Sequence, residues 1–320
     1  MIARYPLATL PTPLVRAERL AHALGRAEIW VKRDDLTGFM VAGNKARPLE
    51  RLVADAMANG ADTLVTGGGP ASNYCAAAAA AARVAGLRCV IVLYGQDGGP
   101  AHPNLALVRW HGAEVRFTGS ADRSSVDDML DQAADDVLAS GGRPYVVPRG
   151  GATVVGALAY VDAGQELADQ LAAFGAQPAT VVVAAGSGGT AAGLVASAAG
   201  GRHPWHVLAA AVSRSPEETA TRVLELAGAA ADERGLNRPT DADVDVRDAR
   251  GPGYGLASAE GERAAELAAA TEGLLLDPVF SAKALGTLLA HPELPEPVVF
   301  WHTGGHAAAL AHLTRLSKEK

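Results

Sequence analysis

The run Thr180-Val181-Val182-Val183-Ala184, followed at once by Ala185-Gly186-Ser187-Gly188-Gly189-Thr190, constrains the fold more than any other stretch. A strand that is apolar without alternation belongs inside a parallel sheet covered on both faces, whereas a sheet with one wet face would alternate. Further strands are expected at 29–32, 63–65, 88–94, 114–118, 145–147, 206–212 and 297–301. Helical spacing separates them at 45–59, from 72 onward, and at 105–110, 125–140, 155–174, 217–227, 260–270, 280–289 and 306–316. The segment 125–140 shows the pattern well, with Val126, Met129, Leu130, Ala133 and Val137 on one face and Gly141 as its stop. Regular alternation of this kind predicts an α/β architecture, with parallel or mixed sheets flanked by helices. A chain of 320 residues that is 49% hydrophobic can bury a large core and divide into two domains.

Charge and cysteine usage narrow the function. The net charge of -7 is spread without basic or acidic blocks, so there is no electrostatic footprint for nucleic acid or an anionic membrane. No apolar run approaches bilayer-spanning length and the first ten residues lack a signal-peptide pattern, which makes cytoplasm the expected location. Cys75 and Cys89 lie in apolar surroundings without CxxC spacing and read as buried thiols.

Chemistry is concentrated in loops that follow strands. In Gly43-Asn44-Lys45-Ala46-Arg47 a lysine follows a glycine-led turn and opens a helix, so its amine projects from a fixed point, as a covalently used amine must. The loop 186–190 opens another helix, where backbone N–H groups and the helix dipole suit a phosphate. Gly186-x-Gly188-x-x-Ala191 also fits a dinucleotide fingerprint, and Arg214 after the next strand suits a 2′-phosphate, which keeps an NADP-dependent oxidoreductase open. Gly67-Gly68-Gly69-Pro70-Ala71-Ser72-Asn73-Tyr74 offers either a helix cap at Ser72 or a carboxylate cradle. His302 and His306 stand four apart in Trp301-His302-Thr303-Gly304-Gly305-His306, but with no HExxH pattern and no acidic ligand close in sequence the expectation is a ligand-lining loop and no metal.

Taken together, Lys32-Arg33-Asp34-Asp35, the Lys45 loop, Gly69-Pro70-Ala71-Ser72-Asn73, Gly186-Ser187-Gly188-Gly189-Thr190, Gly251-Pro252-Gly253-Tyr254-Gly255, Asp277-Pro278-Val279-Phe280-Ser281 and His302-Thr303-Gly304-Gly305 resemble one family. It is the D-cysteine desulfhydrase and 1-aminocyclopropane-1-carboxylate deaminase group of pyridoxal-phosphate enzymes, and the resemblance runs nearly end to end. It implies the two-domain fold type II, with residues 1–48 and 162–320 forming a large coenzyme-binding domain and 49–161 a small inserted one. Lys45 would carry pyridoxal 5′-phosphate as a Schiff base. Asn44 and the loop Gly186, Ser187, Gly188, Gly189 and Thr190 would bind the coenzyme, with Asn73 on the ring hydroxyl and Ser281 near the ring nitrogen. Ser72, Asn73, Tyr74, Thr303 and Gly304 would meet an amino-acid substrate, and Lys45, Ser72, Tyr254 and Phe280 form the catalytic set.

The implied reaction is Cα deprotonation and β-elimination of a small amino acid, giving a 2-oxo acid and ammonia, in a homodimer. Ser281, a hydroxyl rather than an acid, leans toward the desulfhydrase branch. Two departures stand out: Phe280 where the family has tyrosine, and Tyr74 where it more often has glutamine or histidine. The missing phenol at 280 argues against cyclopropane opening and also weakens the desulfhydrase assignment; the two departures together keep open a biosynthetic enzyme for β- or γ-replacement or elimination, and the change at 280 keeps open a coenzyme-binding protein without turnover.

Overall fold

A computed structural model describes residues 3–98, 102–177, 179–199, 202–203 and 205–319. The chain enters through β1 (Leu14–Arg16), α1 (Glu18–Ala23) and β2 (Ile29–Arg33), then α2 (Ala46–Ala58). A first α/β block follows: β3 (Thr63–Gly68), α3 (Asn73–Val84), β4 (Arg88–Leu93), α4 (Pro103–Trp110), β5 (Glu114–Phe117), α5 (Ser125–Ala139) and β6 (Pro144–Val146). The long α6 (Val154–Phe174) leads to β7 (Thr180–Ala185), α7 (Gly189–Ala198), β8 (His206–Ala211), α8 (Pro216–Arg234) and β9 (Val244–Asp248). Finally come α9 (Ala259–Glu272), α10 (Ser281–Ala290), β10 (Val298–His302) and α11 (His306–Glu319).

These strands form two sheets. The first block makes a four-stranded sheet in the order β5-β4-β3-β6, parallel throughout. The other strands make a six-stranded sheet in the order β1-β2-β10-β7-β8-β9, parallel except for the antiparallel edge pair β1–β2. The expected β7 lies inside this sheet. Val181 and Val183 pack under α6, α7 and α8, while Val182 and Ala184 pack under α9 and α10 on the opposite face. Both faces are covered, which is why the run does not alternate.

The four-stranded sheet is covered in the same way, with α2, α3 and α4 on one face and α5 on the other. The alanines 76–82 of α3 are all buried, and their small side chains let α3 lie close on the sheet and on α2. α2 and α6 pack against each other where the two sheets meet. β1, α1 and β9 were not expected from the sequence. Both strands are sheet edges, short or rich in charge, so neither carries the apolar run that marks an interior strand.

Candidate active site

Loops beyond the carboxyl ends of the parallel strands β2, β3, β6, β7, β9 and β10 converge on one cavity, as open α/β sheets arrange their ligand sites, and Phe280 joins them from the turn before α10. The lining residues include Asn44, Lys45, Ser72, Asn73, Arg149, Ser187, Thr190, Tyr254 and Thr303.

Lys45 closes the short 3-10 turn Gly43–Lys45 that leads into α2. Gly43 makes the turn possible: its φ is +54°, and a Cβ there would lie 2.4 Å from the Thr303 carbonyl oxygen. That close approach lets Asn44 N donate to Thr303 O at 3.0 Å, which ties the lysine loop to the β10 loop. Burial lowers the Lys45 pKa to about 8, and its amine has no ion pair or hydrogen-bond partner among the described residues.

Beneath the lysine loop lies a buried ionic network. Asp34 accepts from Arg47 (2.9 Å), from Thr12 Oγ1 (2.9 Å), from Tyr160 Oη (2.7 Å) and from Trp301 Nε1 (2.8 Å). Arg47 also donates to Glu166, which Lys32 pairs in turn. Tyr160 Oη lies within hydrogen-bond distance of the Asn44 carbonyl as well (3.1 Å), so the network bears directly on the segment that presents Lys45. Burial alone would raise the Asp34 pKa, but the Arg47 guanidinium and the donors around it hold the carboxyl below its usual range.

The loop 186–190 leads from β7 into α7. Gly188 caps α7 with φ +94° and no side chain caps that helix, so the N–H groups of the first turn are left for a ligand. Asn44 Nδ2 donates to Thr190 Oγ1 at 3.0 Å, joining this loop to the lysine loop. Gly186 admits the Phe280 ring, since a Cβ there would lie 2.9 Å from it. Arg214 Nη1 donates to the Gly186 carbonyl (2.9 Å) and Arg222 Nε to that of Ser187 (2.8 Å).

Ser72 stands where α3 begins at the cavity. Its Oγ accepts from Cys75 N at 3.2 Å as the cap of α3, and the residue also lines the cavity. Asn104 Nδ2 donates to Asn73 Oδ1 at 2.7 Å, which leaves Asn73 Nδ2 as its donor toward the cavity. Tyr254 and Phe280 line the same space with ring centroids 6.2 Å apart, edge to face.

Other expected site residues are placed differently. Ser281 is wholly buried and off the cavity wall, and its Oγ is engaged with Asp277 Oδ1 at 2.6 Å. Burial raises the Asp277 pKa. Tyr74 touches the cavity but is only 2% exposed, its hydroxyl buried in the core of the small sheet. Gly189 and Gly304 do not line the cavity; Gly304, at φ +92°, gives room to Gly43, whose Cα a Cβ at 304 would approach to 2.9 Å. Arg149 and Gly150, which follow β6, were missed although they line the cavity.

One sequence argument needs correction. His302 and His306 do have an acidic neighbour: Asp35 Oδ2 lies 3.8 Å and 3.7 Å from their Nε2 atoms. Asp35 is far off in sequence, but the parallel register of β2 and β10 brings it there. Both its oxygens are bound by Arg33, and burial holds the His302 pKa down to about 4.

An enclosed, unpartnered amine beside an uncapped helix start and a free amide donor is what a lysine-bound phosphate coenzyme requires, so the residues fit such a group. The chain belongs to the pyridoxal-phosphate dependent enzyme family, whose description it matches over residues 6–304. Among curated relatives, the D-cysteine desulfhydrases of Salmonella choleraesuis and Klebsiella pneumoniae are each 37% identical, across 97% of this chain and 97% of theirs. A solved structure described as an ACC deaminase homologue superposes with TM-score 0.90 at 32% identity, covering 99% of this chain and 96% of that one. A fungal L-serine ammonia-lyase from Rhizomucor miehei shares the fold, with TM-score 0.69 at 18% identity, covering 98% of both chains. The dinucleotide reading of the 186–191 loop gives way to this family, and Arg214 is engaged with that loop's own carbonyl. Among the described residues no helix is long and apolar enough to cross a membrane.

Proposed function

We propose that this enzyme is a lyase of the D-cysteine desulfhydrase type, removing the α proton and a β substituent from a small amino acid to give a 2-oxo acid and ammonia. The observation that carries the reading is the enclosed Lys45 amine facing a cavity lined, among the described residues, by no carboxylate. When bound, pyridoxal phosphate supplies an electron sink for the pair left at Cα. Near pH 8 much of the Lys45 amine is neutral, so it can form a covalent bond and, once displaced, accept the α proton. The N–H groups at 188–190 and the Asn44–Thr190 pair would hold the phosphate, Asn73 Nδ2 would hydrogen-bond the ring oxygen, and the Ser72 hydroxyl would receive the substrate carboxylate. Phe280 and Tyr254 wall the site on one side and exclude water from it.

Phe280 lacks a hydroxyl, so it cannot move a proton, which supports elimination over ring opening. In this reading residues 49–161 are an inserted unit, the enzyme is a cytoplasmic homodimer, and Thr303 meets the substrate. The test is visible absorption after addition of pyridoxal phosphate, with turnover of a panel of D- and L-amino acids followed by 2-oxo acid release. The protein should become yellow and Lys45→Ala should not. A colourless wild type, or a coloured one that releases no 2-oxo acid, sinks the proposal.

A further inference from the structure

Lys283, in the first turn of α10, is only 2% exposed and has no part in the chemistry described above. Its Nζ donates to the carbonyl oxygens of Arg250 (2.6 Å) and Gly253 (3.0 Å) and forms no ion pair among the described residues. Asp277 and Asp248 favour its charged form only from beyond contact distance, and burial opposes it. An ammonium buried against neutral acceptors is costly, and an apolar side chain of the same length would pack there at less cost. Packing alone therefore does not account for a lysine at this position.

The two carbonyls belong to the segment 250–256, which follows β9 and runs through two successive turns. Gly253 N donates to Arg250 O (3.2 Å) and Leu256 N to Gly253 O (3.4 Å), so Lys283 reaches the acceptor of each turn. Gly251, Gly253 and Gly255 all have positive φ, and Gly251, Pro252, Gly255 and Leu256 are exposed. A surface segment so rich in glycine has many other conformations open to it unless something fixes it. Between Gly253 and Gly255 stands Tyr254, on the cavity wall, its ring edge to face with Phe280 and 4.0 Å under Arg123 Cζ. Phe280 immediately precedes α10, so one helix start meets the segment twice. Phe280 touches the Tyr254 ring at the cavity, while Lys283 meets the backbone in a separate cleft lined by Arg250, Gly251, Gly253 and Ser258. The base is firm, because α10 packs on α9 and on strands β7, β8 and β10.

We infer that Lys283 is a positioning residue whose ammonium fixes the 250–256 segment so that Tyr254 closes the substrate cavity, which rests on the lyase reading for what the cavity receives. Lys283 acts through Tyr254, and its amine is spent on the two carbonyls. Losing the ammonium frees the segment, takes the Tyr254 ring off the wall and weakens substrate binding. Coenzyme binding stays, because Lys45 and the 188–190 loop stand on other elements.

The experiment uses Lys283→Met, which keeps length and removes charge and donors, in the coenzyme-loaded enzyme. Hydrogen exchange followed by mass spectrometry should show the amides of 251–256 exchanging at least tenfold faster than in wild type, with β7 and β10 unchanged. With the best substrate from a panel of amino acids, KM should rise at least tenfold while kcat changes less than threefold. In Tyr254→Ala, whose KM is already raised, adding Lys283→Met should change KM by less than twofold. If Lys283→Met does not fold, Lys283→Gln takes its place with the same expected direction. Exchange that rises equally across the fold or not at all, or a KM effect undiminished in Tyr254→Ala, overturns the inference and leaves the lyase reading intact. Silence toward every amino acid removes the lyase reading, and the exchange arm then decides alone whether Lys283 holds the segment.

Discussion

Lys45 imposes a measurable cost on the protein before any coenzyme arrives. Burial lowers its pKa from the ordinary 10.5 to about 8, so below pH 8 the folded protein must hold a proton on an amine with no partner among the described residues. At about 1.4 kcal/mol per tenfold change in proton affinity, the lowering corresponds to about 3 kcal/mol, an upper figure because the Lys45 residue keeps partial exposure. The sign follows from proton binding. Between about pH 8 and 10.5 the unfolded chain keeps a proton that the folded chain has released, so stability rises with pH across that window, and below it the whole penalty applies. Lys45→Met removes the charge while keeping length and apolar bulk. The coenzyme-free variant should therefore be more stable than coenzyme-free wild type by up to about 3 kcal/mol at pH 7, the gap closing as pH approaches 10.5. Chemical denaturation of both proteins at several pH values measures the gap. A variant no more stable than wild type at pH 7, or a gap that does not change with pH, would refute the argument.

Two further substitutions test the frame around the lysine. Asp34→Asn leaves Arg47 facing fewer negative charges in a buried site and should cost about 3–5 kcal/mol, read as a lower denaturation midpoint. Because the folded Asp34 pKa is depressed, its contribution is present above the ordinary carboxylate range and is lost as pH falls toward the folded value, so the gap between variant and wild type should narrow in acid. Gly43→Ala forces a positive φ on an L side chain and drives its Cβ against the Thr303 carbonyl. It should cost about 2–3 kcal/mol and weaken pyridoxal phosphate binding, measured by thermal unfolding and by titration of the visible absorption.

The interior of the fold could be read from the sequence because burial on both faces leaves an uninterrupted signature, as in Thr180 to Ala184. The edges could not: Leu14–Arg16 and Val244–Asp248 are held by pairing with β2 and β8 rather than by an apolar run of their own. The cavity residues on glycine loops were likewise legible, since Lys45, Ser72, Asn73 and Ser187 follow strands in a recognisable order. Arg149 was not, because an arginine beside a rim aspartate looks like any solvated charge until β6 is paired with β3 and brings it to the cavity. The surroundings of Ser281 were hidden for a related reason. The sequence shows a hydroxyl four residues from Asp277 but not that the turn between them points each at the other.

The network under Lys45 gathers Thr12, Asp34, Arg47, Tyr160, Glu166 and Trp301, so the lysine's footing draws on nearly the whole length of the chain. Contacts between residues so far apart in sequence form only after the intervening loops have closed. An incomplete chain emerging from the ribosome, lacking Trp301, has no such seat for Lys45 and offers only a flexible, fully protonated amine. Reactivity toward an aldehyde coenzyme is therefore withheld until the last strand has docked, which makes capture of the coenzyme a mark of completed assembly.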